Sequence, residues 1–129
     1  MSTRAHLTPG REALLERATG RRYTYADVNA RANRLANFLR ERLGVQKGDR
    51  VSILAHNSIA HVDLLYGLAK IGAILAPLNW RLTARELAHI VNDCEPKIVI
   101  GGPEFVDTLA DMRPHVNISY FIGNRSVGL

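Results

Sequence analysis

The chain has 129 residues, 47% of them hydrophobic and 22% charged, with a formal net charge of +5. That is enough for one domain with its own core and too little for two of ordinary size, and no apolar run approaches the roughly 20 residues that cross a bilayer. The single cysteine, Cys94, excludes an internal disulfide, and the polar start Met1-Ser2-Thr3-Arg4-Ala5-His6 has no secretion-signal core, so a cytoplasmic location is expected.

Residues 1–11 carry no periodic pattern and are expected to be flexible. Ala13 to Glu16 and Arg22 to Thr24 flank Thr19-Gly20 and predict a small hairpin. From Tyr25 to Leu43, the positions Tyr25, Val28, Ala32, Leu35, Ala36, Leu39 and Leu43 recur at three-and-four spacing, which predicts a helix. Thr24 followed three residues later by Asp27 predicts a capping box at its start, and Gly44 suits the left-handed residue beyond its end. Residues 1–50 hold eleven basic and five acidic side chains. Arg31, Arg34, Arg40 and Arg42 interleave with the apolar positions of this helix, as on the wet face of an amphipathic helix. No aromatic residues alternate with them as base-stacking platforms, so nucleic-acid binding is not expected despite the basic balance.

From Arg50 the pattern becomes regular. Val51 to Ala55, Ile74 to Leu78, Lys97 to Ile100 and Ile118 to Ile122 read as apolar strands, separated by helical stretches over Ile59 to Ile71, Ala84 to Asn92 and Glu104 to Met112. Successive strands start a little over 20 residues apart, the length of one strand-helix unit. Such alternation predicts an α/β fold: a doubly wound, mostly parallel sheet with helices on both faces, joined by right-handed crossovers. Asn57 or Ser58 is expected to cap the second of the four helices and Gly72 to end it, while Thr83 and Glu86 repeat the capping-box spacing for the third. The stretch from Ile59 to Ile71 is apolar on nearly every side and predicts a helix covered over most of its surface.

Spacing alone identifies no reaction. His56 and His61 lie five apart rather than at the i, i+4 spacing of a helical zinc pair, so no metal site is expected. Gly101-Gly102-Pro103 follows a strand where an α/β fold can bind phosphate, but without a glycine fingerprint or a Lys-Ser/Thr ending it reads as a plain turn. No G-x-S-x-G elbow is present. Asn117-Ile118-Ser119 and Asn124-Arg125-Ser126 match the glycosylation pattern, which carries little weight without a secretion signal.

Specificity enters with short motifs in order. Thr24-Tyr25-Ala26-Asp27-Val28, continued by Asn29 to Ala36, resembles the first core motif of the adenylate-forming superfamily, the Thr-Tyr-x-Glu-Leu of acyl-CoA synthetases, luciferases and peptide-synthetase adenylation domains. Leu68-Ala69-Lys70-Ile71-Gly72-Ala73-Ile74-Leu75-Ala76-Pro77-Leu78-Asn79 is similar to its second. Between them stand Gly48-Asp49-Arg50-Val51 and His56-Asn57-Ser58, beyond them Thr83-Ala84-Arg85-Glu86-Leu87 and Lys97 to Ile100, and the similarity runs over roughly residues 12 to 123. Asn79-Trp80-Arg81-Leu82 resembles bacterial fatty- and aromatic-acid CoA ligases more than peptide-synthetase domains, which usually have Asp-Pro there.

The resemblance implies a single partial domain over residues 1–129, the N-terminal part of an AMP-binding domain, with residues 124–129 a tail of no family pattern. It implies an acid-thiol ligase that uses ATP, magnesium and CoA on a fatty or aromatic carboxylic acid. The family's phosphate loop, magnesium-bound glutamate, ribose-binding aspartate and catalytic lysine have no counterpart in this sequence. No catalytic residue is therefore assigned, none of these cofactors is expected to bind tightly, and the polypeptide alone is expected to form no acyl-adenylate. In some such ligases the arginine at the position of Arg81 contacts the nucleotide phosphate of CoA, by the charge-assisted bonds a guanidinium makes; the alternatives are an acidic partner or solvent. Trp80 is expected to pack. The rival readings are a non-catalytic flavodoxin-like binding or regulatory module and, after it, a basic nucleic-acid-binding domain.

Overall fold

The computed structural model describes residues 2–16, 19–56, 59–116 and, for their backbone, 120–123. Residues 2–11, to which the sequence assigned no element, include helix α1 (Ser2–Leu7). The hairpin forms from β1 (Glu12–Glu16) and β2 (Arg21–Thr24), antiparallel, with Gly20 in the left-handed region at φ 72°. Helix α2 (Tyr25–Arg42) follows directly and buries Val28, Ala32, Leu35, Ala36 and Leu39. Its capping box is present: the Thr24 hydroxyl accepts from the Asp27 N–H at 3.1 Å, and the Asp27 carboxylate accepts from the Thr24 N–H at 2.9 Å. The carbonyls of Arg11 and Pro9 take the N–H groups of Tyr25 and Ala26, so the first turn leaves few donors unmet. Lys70 Nζ donates to both Ser2 Oγ (2.7 Å) and Asn29 Oδ1 (2.8 Å), a polar node that ties α1 and α2 to the third helix.

The rest is β3 (Arg50–Leu54), α3 (Ile59–Ile71), β4 (Ile74–Pro77), α4 (Ala84–Cys94), β5 (Ile98–Gly101), a 3-10 turn at Pro103–Phe105, α5 (Val106–Met112), a second 3-10 turn at Arg113–His115 and β6 (Tyr120–Gly123). Four strands make a parallel sheet in the order β4-β3-β5-β6. Alternate residues face opposite layers, as the two-residue strand repeat requires. Val51, Ile53, Ile98 and Ile100 pack with Leu35 and Leu39 of α2 and Leu64 and Leu68 of α3. Leu54 and Val99 point the other way, against Leu87 and Val91 of α4 and Leu109 and Met112 of α5. This is the doubly wound α/β architecture expected from the strand-helix alternation. Pro77, which has no N–H to give, sits at the last register position of the edge strand β4, where none is needed.

Several motifs have structural work that spacing alone does not reveal. Gly48 adopts φ 87°, a conformation open to glycine; Asp49 closes the turn by accepting from the Gln46 N–H at 2.8 Å; and Arg50 Nη1 donates to the Cys94 carbonyl at 2.9 Å, satisfying the end of α4. Gly72 ends α3 at φ 73°. The second capping box, Thr83 with Glu86, is also formed. Asn57 and Ser58, the expected caps of α3, lie outside the described residues. The first N–H of α3, that of Ile59, donates to the Glu16 carboxylate from β1 at 3.1 Å.

One expectation is corrected. Arg31 does not belong to the wet face of α2: its Nε and Nη2 form a forked pair with Asp63 of α3, the shortest contact being 2.7 Å, with Asp63 only 2% exposed. Helix α3 is covered over most of its surface, as expected: it buries Ala60, Asp63, Leu64, Gly67 and Leu68, and of its thirteen residues only Leu65, at 50%, and Ala69 are exposed. Gly67 is the contact point with α2, where an added Cβ would lie 3.3 Å from the Ala32 carbonyl oxygen.

Candidate functional site

In an open α/β sheet the crevice for ligands opens at the carboxyl ends of the strands, between two neighbours whose following helices leave to opposite faces. Here β3 meets this condition with both its neighbours, β4 and β5, because α3 packs on one face of the sheet and α4 and α5 on the other. Three chain segments meet above them. The segment after β3 brings His56, the one after β5 brings Glu104 and Phe105, and the one after β4 brings Asn79, Trp80 and Arg81.

Each segment is held by short bonds. The Gly102 N–H donates to the Leu54 carbonyl at 2.9 Å, and the Leu78 N–H donates to the Ile53 carbonyl, also at 2.9 Å, so both neighbouring loops are laced to the end of β3. Gly101 leaves no free room for a side chain: an added Cβ would stand 2.1 Å from Leu109 Cδ1, so Leu109 would have to shift. Asn79 folds its loop back: its side-chain oxygen accepts from the Arg81 N–H at 3.0 Å and its carbonyl from the Leu82 N–H at 3.1 Å. Asparagine serves here because its side chain reaches the backbone two residues on.

On this frame sits an aromatic group that spacing did not reveal. The His56 ring is edge-on to Trp80, centroids 4.4 Å apart, and edge-on to Phe105 at 5.1 Å. Glu104 Oε1 lies 3.4 Å from His56 Nδ1. Trp80 rests against His56, stays 40% exposed and carries the Arg81 guanidinium over its ring at 4.7 Å. Arg81 is exposed and, among the described residues, has no carboxylate within ion-pairing distance. A flat cation resting on a rigid ring, without a counter-charge, is pre-organised for an incoming anion.

The remaining sequence candidates fall elsewhere. His61 lies on α3, apart from His56; its Nδ1 is buried with no partner, and desolvation lowers its pKa from the ordinary 6.5. No group of three or more metal-ligating side chains occurs among the described residues. Gly101-Gly102-Pro103 leads into a 3-10 turn rather than directly into a helix. Asn117 and Asn124 lie outside the described residues. The His56-Trp80-Phe105 group has only a weak sequence signal: His56 and Trp80 stand just past predicted strand ends and Phe105 in the first turn of a predicted helix, but nothing in the spacing says that the three adjoin.

Comparison with known proteins gives this geometry a context. The family model described as "AMP-binding enzyme" matches residues 1–121. The long-chain-fatty-acid–CoA ligase FadD13 of Mycobacterium tuberculosis is 46% identical over 99 residues, covering 77% of this chain and 20% of that protein. A feruloyl-CoA synthase from an Amycolatopsis species is 39% identical over 107 residues, covering 83% of this chain and 21% of that protein. The solved N-terminal domain of FACL13 from Mycobacterium tuberculosis superposes with a TM-score of 0.92 at 38% identity, covering 98% of this chain and 33% of that one. The chain thus spans about a fifth of the length of the curated relatives it matches. With the motifs in order, the doubly wound sheet in place and the family match running over nearly all of it, this chain belongs to the AMP-binding enzyme family.

Proposed function

We propose that this chain is the N-terminal segment of an ATP-dependent acyl-CoA ligase, which joins a fatty or aromatic carboxylic acid to CoA through an acyl-adenylate and releases AMP and pyrophosphate. The observation that carries the proposal is the family match over residues 1–121, together with relatives named as CoA ligases. Within that enzyme the segment scaffolds one side of the site. Its described residues offer no metal-ligating group, and its sequence has no phosphate loop, so adenylation and the magnesium and ATP it uses are assigned to the rest of the enzyme.

What this chain supplies is Arg81. Its guanidinium fits the nucleotide phosphate of CoA on the donor chemistry: a planar cation, exposed, resting on Trp80 and free of carboxylates among the described residues. The Asn79 turn and the strand β4 behind it hold the backbone from which it projects. In the ligase that contains this segment, Arg81→Ala should raise the KM for CoA roughly tenfold, the loss of one charge-assisted contact, while leaving the KM for ATP unchanged. Equal effects on both would make Arg81 a structural residue. The wider proposal is tested by replacing the matching segment of an active family ligase with residues 12–123 of this chain. Retained acyl-CoA formation supports it, and a folded but inactive chimera counts against it.

A further inference from the structure

A second basic site lies away from the strand-end crevice. Arg21 and Arg22 of β2 and Arg31 and Arg34 of α2 line one cavity of about 270 Å³, together with Tyr23 and Asp27. The four guanidiniums are not equivalent. Arg22 Nη1 is paired with Glu12 at 2.8 Å, and Arg31 is forked onto Asp63. Asp27 spends its carboxylate on the Thr24 N–H. Arg21 and Arg34 have no carboxylate within ion-pairing distance among the described residues. Counting the lining groups with the Glu12 and Asp63 partners, and with Glu16, which stands opposite Arg21 in the hairpin and lies in the field of Arg21 and Arg31, four positive charges meet four negative ones.

We propose that this cavity binds a small phosphoryl oxyanion, with Arg21 and Arg34 as the binding groups. Arg31 forms its fixed wall: Nε and Nη2 are held by Asp63 and the guanidinium lies over the Tyr23 ring at 5.5 Å, so Nη1 is held in place at no further entropic cost. The forked geometry of guanidinium groups matches the oxygens of phosphate, which a lysine cluster does not do. The depression is open to solvent and has room for a phosphate or pyrophosphate group. The charge balance argues against a polyanion, which binds through many uncompensated cations spread along a surface. Such a site lies apart from Arg81 and does not depend on the role proposed for that residue.

The test is a calorimetric titration of the 129-residue chain with inorganic pyrophosphate, and separately with ATP, at constant ionic strength and without magnesium. One saturable pyrophosphate site is expected, weakened about tenfold or more by Arg34→Ala and by Arg21→Ala and unchanged by Arg81→Ala. Both substituted side chains are exposed and unpaired among the described residues, so folding should survive; Arg34→Lys, which keeps the charge and loses the fork, should fall between wild type and Arg34→Ala. ATP binding with the same sensitivity to Arg21 and Arg34 identifies the phosphoryl end as the recognised group, whether free or carried on a nucleotide. The proposal is overturned if pyrophosphate shows no saturable site, if its affinity survives both substitutions, or if Arg81→Ala abolishes it equally.

Discussion

The ion pair between Arg31 and Asp63 is the costliest single contact to break. Asp63 is 2% exposed, and its carboxylate takes three contacts of 2.7 to 3.1 Å from one guanidinium. That carboxylate in turn raises the Arg31 pKa further above its ordinary value. Removing the cation strands a buried carboxylate, which costs far more than the pair itself contributes. Arg31→Ala should lower unfolding stability by about 3 kcal/mol in urea titration, and Arg31→Ala with Asp63→Ala by clearly less than the two single losses added together. A loss below about 1 kcal/mol for Arg31→Ala would show the pair to be solvated. At this scale the sequence misleads, because an arginine at a polar helical position reads as solvent-facing. Its partner lies 32 positions along the chain, on another helix.

At the scale of elements, the strand ends do the positioning, and their glycines are chosen by neighbours rather than by the backbone. Gly101 lacks a positive φ, yet an added Cβ would meet Leu109 Cδ1 at 2.1 Å, so α5 rests directly on the end of β5. Gly101→Ala should destabilise the fold by roughly 1 to 3 kcal/mol through overpacking. Leu109→Ala in the same chain opens the room that the methyl needs, so the double substitution should cost less than the sum of the singles in a denaturation cycle. Strict additivity would mean that α5 shifts freely. Apart from α1, which the sequence did not signal, the strands and helices were legible: their apolar periodicity places each to within a residue or two where described. The stretch from Glu104 to Met112 was predicted as one helix and is split. Pro103 opens a 3-10 turn through Phe105, and the α-helix runs only from Val106. That turn is what brings Phe105 under His56.

For the whole molecule, two groups make folding depend on pH in separate windows. Burial lowers the His61 pKa from 6.5, so the folded state resists a proton that the unfolded chain accepts. Its effect is absent above that value, and stability falls as pH drops below 6.5 towards the lowered folded value. Glu16 is lowered from 4.5, first by the Thr19 hydroxyl and then by the Ile59 N–H, with Arg21 and Arg31 adding to it. Its stabilisation is present above 4.5 and is lost as pH falls through the lowered folded value. Unfolding midpoints across this range should therefore decline in two stages. His61→Leu should flatten the upper stage and Glu16→Gln the lower one. A His61→Leu profile that parallels wild type between about pH 7 and 5 would remove the histidine from the account.

The sequence by itself determined the elements from β1 onward, their order, both capping boxes and the family, because each rests on residues within a few positions of one another or on motifs read along the chain. It also singled out Arg81, though by resemblance rather than by physics. Only the tertiary structure decided which strand ends adjoin, and so brought His56, Trp80 and Phe105 into one group beneath the Arg81 guanidinium. The same folding turned Arg31 inward to Asp63, put Glu16 of a hairpin at the first N–H of α3, and gathered four arginines around one cavity. These are contacts between residues far apart in the chain. Periodicity specifies which face of an element is apolar, but the partner of that face, and the few polar groups admitted to it, are set by how the layers close.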